Sequence, residues 1–212
     1  MRWPAFLNLK TIGLLLSGGI AGAVFILVLI EFDHVTSTEE FCTSCHSMTI
    51  VAEPYRQSSH YNPTSGVRAS CGDCHVSRGV ISATWDHVLG TKDLFAQLFG
   101  ADYDNPVVNL VHLPDAAFHA RDWFKKNQSD TCQRCHVLEA IKGTRADTMK
   151  VHQEEAEGKS CIDCHINLVH RKVPGKQVFK RDAWNRMVEE EFGLEEGMAE
   201  KIRLGQAEPP KL

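Results

Sequence analysis

Residues 41–48 read Phe-Cys-Thr-Ser-Cys-His-Ser-Met and closely follow a long apolar segment. They contain the pattern Cys-x-x-Cys-His, which is typical of c-type haem attachment. Two thiols three positions apart reach the two vinyl groups of one porphyrin, while the adjacent imidazole turns towards the iron. The pattern occurs four times and uses every cysteine: Cys42, Cys45 and His46; Cys71, Cys74 and His75; Cys132, Cys135 and His136; Cys161, Cys164 and His165. The sequence therefore predicts four covalently bound haem c groups.

Cysteine pairs with this spacing also occur in disulfide frameworks and in structural zinc sites. Neither use requires a histidine directly after the second cysteine, whereas haem ligation does. Here a histidine follows all four pairs. This repetition favours a tetrahaem cytochrome c over four disulfides or two zinc sites.

The composition fits a protein that has little apolar core of its own. Only 8% of the 212 residues are aromatic, and the segments between the motifs are short and polar, so four porphyrins would supply much of the apolar mass. We predict a mainly α-helical fold with much irregular structure. The net charge of −4 becomes more negative with the haem propionates, and no nucleic-acid partner is expected, because such a partner requires a basic stripe.

The segment from Thr11 to Ile30 carries no charge and is long enough to cross a membrane as one helix. Arg2 and Lys10 precede it and acidic residues follow it, which predicts a cytoplasmic N-terminus. Haem attachment outside the bacterial cytoplasm requires the same orientation. We therefore predict that residues 1–32 form the cytoplasmic N-terminus and a single-pass anchor in the inner membrane, with the haem domain in the periplasm.

A cleaved signal peptide is the alternative for this segment. Its apolar region is usually shorter and ends in small residues, and Ile30-Glu31-Phe32 is not such a cleavage site. Gly18 and Gly22 form a small-x-x-x-small pair, which allows two helices to approach closely within the lipid. The anchor is therefore suited to a homo-oligomer or to a hetero-complex, and the sequence does not choose between them.

The periplasmic part is an internal duplication. Cys42 and Cys71 are 29 positions apart, as are Cys132 and Cys161. We predict a first di-haem unit at residues 33–100, which includes a segment for quinol, and a second di-haem unit at residues 101–172. Residues 173–212 are predicted to form a helical extension and a loose tail.

Three segments between and after the motifs are predicted to be helical. Residues 79–100 favour short amphipathic helices broken at Gly90, which either lie at the membrane interface or pack on haem faces. Residues 114–127 are predicted to form a helix that begins at Pro114. Residues 181–204 predict a charged helical segment that packs on the haem domain or on a partner.

A low-spin haem needs a second strong axial ligand, commonly His or Met. His60 and His152 precede the second motif of their units by similar intervals, which argues for equivalent distal roles. His170, five residues after the fourth motif, is the next candidate. One iron is then left without a distal histidine. The first motif differs from the others because Met48 follows His46 after one residue.

These features resemble the NapC/NirT/NrfH group of membrane-anchored tetrahaem cytochromes that oxidise quinol. The resemblance extends from about Thr11 to His170 and includes the anchor and all four motifs. It also includes five local sequences: Cys42-Thr-Ser-Cys-His-Ser-Met48, Ser59-His60-Tyr61-Asn62, Gly66-Val67-Arg68, Gly90-Thr91-Lys92-Asp93 and Gly158-Lys159-Ser160-Cys161-Ile162-Asp163-Cys164-His165.

The resemblance implies that the first haem lies at the membrane surface beside the quinol and is high-spin, with His46 or Met48 as its protein ligand. It implies that Asp93 takes part in quinol binding. The family often has a lysine shortly before this aspartate, and His87 and Lys92 are the nearest residues here.

The distal ligand of the second haem is a separate question. Some members of the group have a histidine where Arg78 stands in this chain. Three alternatives replace it: His170, His87 or a side chain from a partner.

The functional hypothesis is a respiratory relay. Menaquinol or ubiquinol is oxidised beside the first haem, Asp93 accepts its protons with help from His87 or Lys92, and the electrons pass through four haems to a periplasmic redox enzyme or cytochrome. One alternative is a terminal reductase of a small nitrogen or sulfur compound. Another reverses the relay, from a periplasmic oxidase to quinone. The unusual first motif lies next to the membrane helix, which favours the relay.

Overall fold

The structure is a computed structural model, and it describes residues 8–143 and 145–211. Within those ranges the chain is helical and irregular and has no β-strand, as the sequence predicted. The helices are α1 (Leu9–Thr36), α2 (Glu39–Cys42), α3 (Thr49–Arg56), α4 (Cys71–His75), α5 (Val80–Phe99), α6 (Pro106–Lys126), α7 (Ala146–Lys150), α8 (Arg181–Phe192) and α9 (Met198–Arg203). Short 3-10 turns occur at His46–Met48, Cys132–Arg134, Leu138–Ala140 and Cys161–Asp163, and a π turn at Val151–Glu155.

Helix α1 extends beyond the predicted apolar segment at both ends. The Asn8 side chain accepts a hydrogen bond from the backbone N–H of Thr11, which caps the first turn. The helix then continues for 28 residues, or about 42 Å at 1.5 Å per residue. Its apolar side chains are exposed along the span, and its most apolar window has a mean hydropathy of 2.5 with no residue buried by protein. An apolar helix of this length is suited to lipid, which supports a membrane anchor.

Residues 80–99 form one continuous helix, α5, and the predicted break at Gly90 is wrong. Gly90 has no neighbour that would contact an added side chain, so this glycine does not mark a close approach or a turn. Helix α5 packs against α1, with Ala83 buried at the contact. The contact with α1 at His87 stabilises α5, and the helix continues through a glycine that costs about 1 kcal/mol in helical propensity.

Helix α6 begins at Pro106, so the predicted start at Pro114 is also wrong. The Asn105 side chain accepts hydrogen bonds from the backbone of Val107 and Val108, and a proline in the first turn suits such a start. Pro114 lies inside the helix and is buried. Because proline has no N–H, the carbonyl of Leu110 lacks its usual helical donor.

The indole N–H of Trp184 supplies that missing donor, at 2.9 Å from the Leu110 carbonyl oxygen. This bond joins α6 to α8. Helix α8 ends at Phe192 and is followed by Gly193, which has the left-handed conformation (φ 63°). Residues 181–204 therefore form two helices. Both pack on α6, and together they form the main apolar core: Val107, Val108, Leu110, Val111, Leu113, Val173, Trp184, Val188, Ala199 and Ile202.

We predict that Trp184→Ala lowers the free energy of unfolding by about 3–5 kcal/mol, because it removes a large buried side chain. Trp184→Phe is the matched variant: it keeps most of the bulk but leaves the Leu110 carbonyl buried without a donor, at a cost of about 1–3 kcal/mol. Urea unfolding of the haem-loaded protein in detergent measures both. Equal stability of Trp184→Phe and the unchanged protein would show that the proline-freed carbonyl needs no partner.

Candidate haem-binding site

The second and fourth motifs begin with the same local structure. In each, a serine side chain accepts a hydrogen bond from the backbone of the aspartate three residues later, and that aspartate accepts one from the serine backbone. These capping boxes join Ser70 to Asp73 and Ser160 to Asp163. The sequence analysis recognised the shared residues but not their capping role, although Ser-x-x-Asp before a helical turn is a signal for it.

The attachment cysteines of consecutive motifs lie next to one another. The thiols of Cys42 and Cys71 share a hydrogen bond, which lowers the pKa of Cys42 to about 7 against the opposing effect of burial. Burial, with a smaller effect of nearby Cys132, raises the pKa of Cys74 to about 11. Burial likewise raises the pKa of Cys132, with Cys161 as the next contributor. The four attachment points therefore form a continuous series in the order of the sequence.

Hydrogen bonds from side chains and backbone hold neighbouring motifs in place. Gly72 in the second motif donates its N–H to the Ser37 carbonyl at 3.0 Å, and an added side chain there would collide with Ser37. Arg134 in the third motif donates to the carbonyls of Gly72 and Val76 in and beside the second motif. The buried hydroxyls of Ser129 and Ser160 are 2.5 Å apart and join the third motif to the fourth.

Three motif histidines face a second histidine across a narrow gap. The ring centroids are 6.1 Å apart for His75 and His170, 6.1 Å for His60 and His136, and 6.0 Å for His152 and His165. Two metal–nitrogen bonds of about 2 Å each separate two imidazole centroids by about 6 Å. Each pair thus has the spacing that an iron bound by two imidazoles requires.

Hydrogen bonds also determine which nitrogen of these rings is available as a ligand. The Nδ1 atom of His152 lies 2.8 Å from the Thr148 carbonyl oxygen, and that of His170 lies 2.9 Å from the Val51 carbonyl oxygen. A carbonyl only accepts, so Nδ1 carries the proton and Nε2 is left as the ligand atom. The corresponding Nδ1 of His60 is buried with no hydrogen-bond partner among the described residues.

The surrounding protein favours the neutral form of His60, His75 and His170, and the neutral form is the one that binds a metal. Burial lowers the pKa of His60, with a smaller effect of His136, and burial lowers the pKa of His170. Desolvation, together with nearby His170, lowers the pKa of His75 to about 4. The residue is nevertheless partly exposed to solvent. The residues present fit four haems of which three have paired histidines.

His60 and His152 each lie opposite a motif histidine, but the two pairs are placed differently. His152 faces the histidine of its own unit, whereas His60 faces His136 in the other unit. The spacing of the cysteines along the chain therefore does not determine which motif histidine faces His60 or His152. His170 faces His75, so among the three alternatives for the second motif the contacts favour His170.

The first motif has a different environment. His46 lines an open pocket of about 450 Å³ together with Glu53, Tyr103, Asp104 and Asn109. No other imidazole among the described residues faces His46 at the spacing of the three pairs. Met48 lies on the same 3-10 turn and is 36% exposed. His46 thus lies at the edge of this pocket, and Met48 lies beside it. These two residues are the predicted alternatives for the ligand of the first haem.

The residues predicted to assist Asp93 have other contacts. Asp93 is exposed on α5, and it is not among the described residues that line the His46 pocket. The Nζ of Lys92 lies 3.5 Å from Nε2 of His119 on α6. Both ring nitrogens of His87 have partners, Thr36 and the Ala83 carbonyl. Both nitrogens of His87 thus have partners within α5 and at its contact with α1, and its roles beside Asp93 or on the second haem stay predictions.

Comparisons with known proteins place the sequence among tetrahaem cytochromes. The sequence model of the NapC/NirT cytochrome c family, N-terminal region, matches residues 6–175. A probable tetrahaem cytochrome c-type protein of Nitrosomonas europaea is 39% identical over 168 residues, which cover 77% of this chain and 71% of the relative. The cytochrome c-type protein NapC of Escherichia coli is 36% identical over 181 residues, covering 84% and 89%.

A further relative, the cytochrome c-type protein TorC of Escherichia coli, is 36% identical over 164 residues, which cover 71% of this chain and 40% of the relative. No solved structure matches the chain. The family match ends at residue 175, so helices α8 and α9 lie outside it.

We predict that His170→Ala changes one of the four haems from low-spin to high-spin, because the second motif loses its facing imidazole while its cysteines remain. Electron paramagnetic resonance and haem quantification of the purified protein measure this change. His119→Ala is the matched control, since His119 is also a histidine outside the motifs but is exposed on α6. An unchanged set of low-spin signals in His170→Ala would contradict the pairing of His75 with His170.

Proposed function

The chain belongs to the NapC/NirT family of cytochromes c, whose members act in respiratory electron transfer, and on this basis we propose that it oxidises quinol at the membrane surface. The electrons are passed on to a periplasmic redox enzyme or cytochrome. The substrate is a lipid-soluble hydroquinone, either menaquinol or ubiquinol. In this arrangement the protein is a membrane-anchored quinol dehydrogenase, with its haem domain on the periplasmic side.

The observation that carries the proposal is the unbroken series of attachment points that begins at the end of α1. The Sγ atom of Cys42 lies 4.0 Å from the Thr36 carbonyl, in the last turn of the apolar helix. From there the Cys42 thiol shares a hydrogen bond with Cys71, the helix of the second motif packs on the turn of the third, and Cys132 shares a hydrogen bond with Cys161. A series that starts at the lipid and ends in the haem domain is suited to moving electrons away from a membrane-soluble donor.

The protein would hold three haems with the histidine pairs described above. The first haem would be held by Cys42 and Cys45, with His46 or Met48 as its ligand. When bound, the haems supply one-electron transfer. His46 lines an open pocket and, among the described residues, faces no second imidazole at the spacing of the three pairs, which supports the approach of a quinol oxygen there.

The surface of helix α5 is suited to a quinol that approaches from the lipid. The helix packs on α1 near the end of the membrane span, and large apolar side chains on it are exposed: Ile81, Trp85, Val88, Leu89, Leu94, Phe95, Leu98 and Phe99. Such a surface is suited to the membrane interface. Asp93 lies on this helix between exposed residues, and its carboxylate is suited to accept a proton from a hydroquinone O–H.

A terminal reductase is the rival function, since an open haem also binds small nitrogen or sulfur compounds. It requires turnover with a reduced dye and the compound alone, without a protein partner. The relay requires hydroquinone and a periplasmic acceptor. A steady-state assay with each pair of reactants separates the two functions.

We predict that Asp93→Asn lowers the rate of quinol oxidation about 100-fold, because an amide cannot accept the proton that the carboxylate would take. Stopped-flow reduction of the haem-loaded protein by a hydroquinone analogue measures the rate. Asp102→Asn is the matched control, since Asp102 is an exposed aspartate shortly after α5. An unaltered rate in Asp93→Asn with all four haems present would remove Asp93 from the mechanism.

A further inference from the structure

His170 lies on a short loop whose two ends are hydrogen-bonded to each other. We call residues 167–173 the ligand loop. It begins two residues after His165 of the fourth motif, and His170 is in its middle. The Val173 N–H donates to Oδ1 of Asn167 at 2.8 Å. Asn167 has a left-handed backbone (φ 60°), which asparagine adopts more readily than most residues. The candidate distal ligand of the second haem is therefore presented by a closed turn.

Arg121 of α6 holds both ends of the ligand loop. One of its terminal nitrogens, Nη2, donates to Oδ1 of Asn167 at 2.9 Å and to the Val173 carbonyl oxygen at 2.7 Å. The other, Nη1, donates to the Pro174 carbonyl oxygen at 3.0 Å. Val173 is 1% exposed and belongs to the apolar core. The planar guanidinium thus joins the two ends of the loop and the residue after it, which the single ammonium nitrogen of a lysine cannot do.

The same part of α6 contacts the other member of the histidine pair. Phe124 follows Arg121 by three residues, and its ring packs against the ring of His75 with centroids 5.6 Å apart. Side chains three positions apart are neighbours on one face of a helix. One turn of α6 therefore contacts His75 and also holds the loop of His170, which fixes the two imidazoles relative to each other at a centroid distance of 6.1 Å.

A second helix orients the ring of His170. Its Nδ1 donates to the Val51 carbonyl oxygen on α3 at 2.9 Å, so Nε2 is the nitrogen that is available to an iron. Val51 packs against the same apolar core that contains Val173. Helix α3 thus sets the rotation of the ring, and α6 sets the position of the loop that carries it.

We propose that Arg121 and Asn167 are positioning residues, which hold His170 opposite His75 and thereby close the second haem to small ligands. An iron with two bound imidazoles has no free coordination position. A ligand loop without these contacts leaves the iron for part of the time, and a small molecule then binds in place of His170. The inference rests on the pairing of His75 with His170 and does not depend on quinol as the electron donor. A closed second haem is suited to electron transfer alone.

The test measures carbon monoxide binding by the full-length, haem-loaded protein in detergent after reduction with dithionite. Carbon monoxide binds a ferrous haem only where a coordination position is free or becomes free. We expect Arg121→Leu, with all haems still attached, to bind about one more carbon monoxide per protein than the unchanged protein. The oxidised variant should show a matching increase of the high-spin signal in electron paramagnetic resonance. Lys126→Leu is the matched control and keeps the unchanged count, since Lys126 is an exposed cation on the same helix.

A pair of variants at Asn167 keeps the test decisive if Arg121→Leu fails to assemble. Asn167→Gly permits the left-handed backbone but removes Oδ1, and we expect it to gain the additional carbon monoxide. Asn167→Asp retains a side-chain oxygen beside Arg121 and should keep the unchanged count. An unchanged count in assembled Asn167→Gly or Arg121→Leu overturns the proposal.

A double variant identifies the haem that is affected. His170→Ala removes the ligand itself, so adding Arg121→Leu to it should bring no further carbon monoxide, because both substitutions act on the same iron. A further increase in the double variant would assign the effect of Arg121 to another haem and would overturn the proposal. Quinol takes no part in these measurements, so their outcome is separate from that of the Asp93→Asn experiment.

Discussion

Two imidazoles that share one iron must face each other at about 6 Å, and this requirement organises the haem domain. The pairs His75–His170 and His60–His136 each join parts of the chain that are far apart in sequence. Helices α5 and α6 lie between the paired histidines in sequence, whereas the motifs themselves lie on short helices or 3-10 turns. Arg134 and the two buried serines then hold neighbouring motifs at fixed positions.

Helix α6 connects this arrangement to the core of the protein. The Asn109 side chain donates to the Ser47 carbonyl at 2.6 Å beside the first motif. Arg121 donates to Oδ1 of Asn167 at 2.9 Å, just after the fourth motif. The packing of α8 and α9 stabilises α6, and through it both ends of the haem series. The C-terminal helices outside the family match therefore contribute to the geometry of the site without contacting it directly.

The contact between α1 and α5 combines apolar and polar interactions at the edge of the membrane span. The ring of Phe32 packs edge-on against His87 with centroids 5.5 Å apart, while Thr36 and Asp33 supply the polar contacts. A polar cluster in this position is costly unless every group has a partner. The Thr36 hydroxyl and both ring nitrogens of His87 have such partners.

The sequence alone determined the chemistry of this protein, because covalent haem attachment and a membrane span are local patterns. Cys-x-x-Cys-His, repeated four times, and the uncharged segment 11–30 each specify their role without reference to distant residues. The pairing of histidines was decided only by the tertiary structure. His60 and His152 stand at similar places in the duplication, yet they face different units. Gly90 reads as a helix break, yet α5 continues through it. Pro114 reads as a helix start, yet it lies inside α6, because Trp184 supplies the Leu110 carbonyl with a partner that no local pattern reveals.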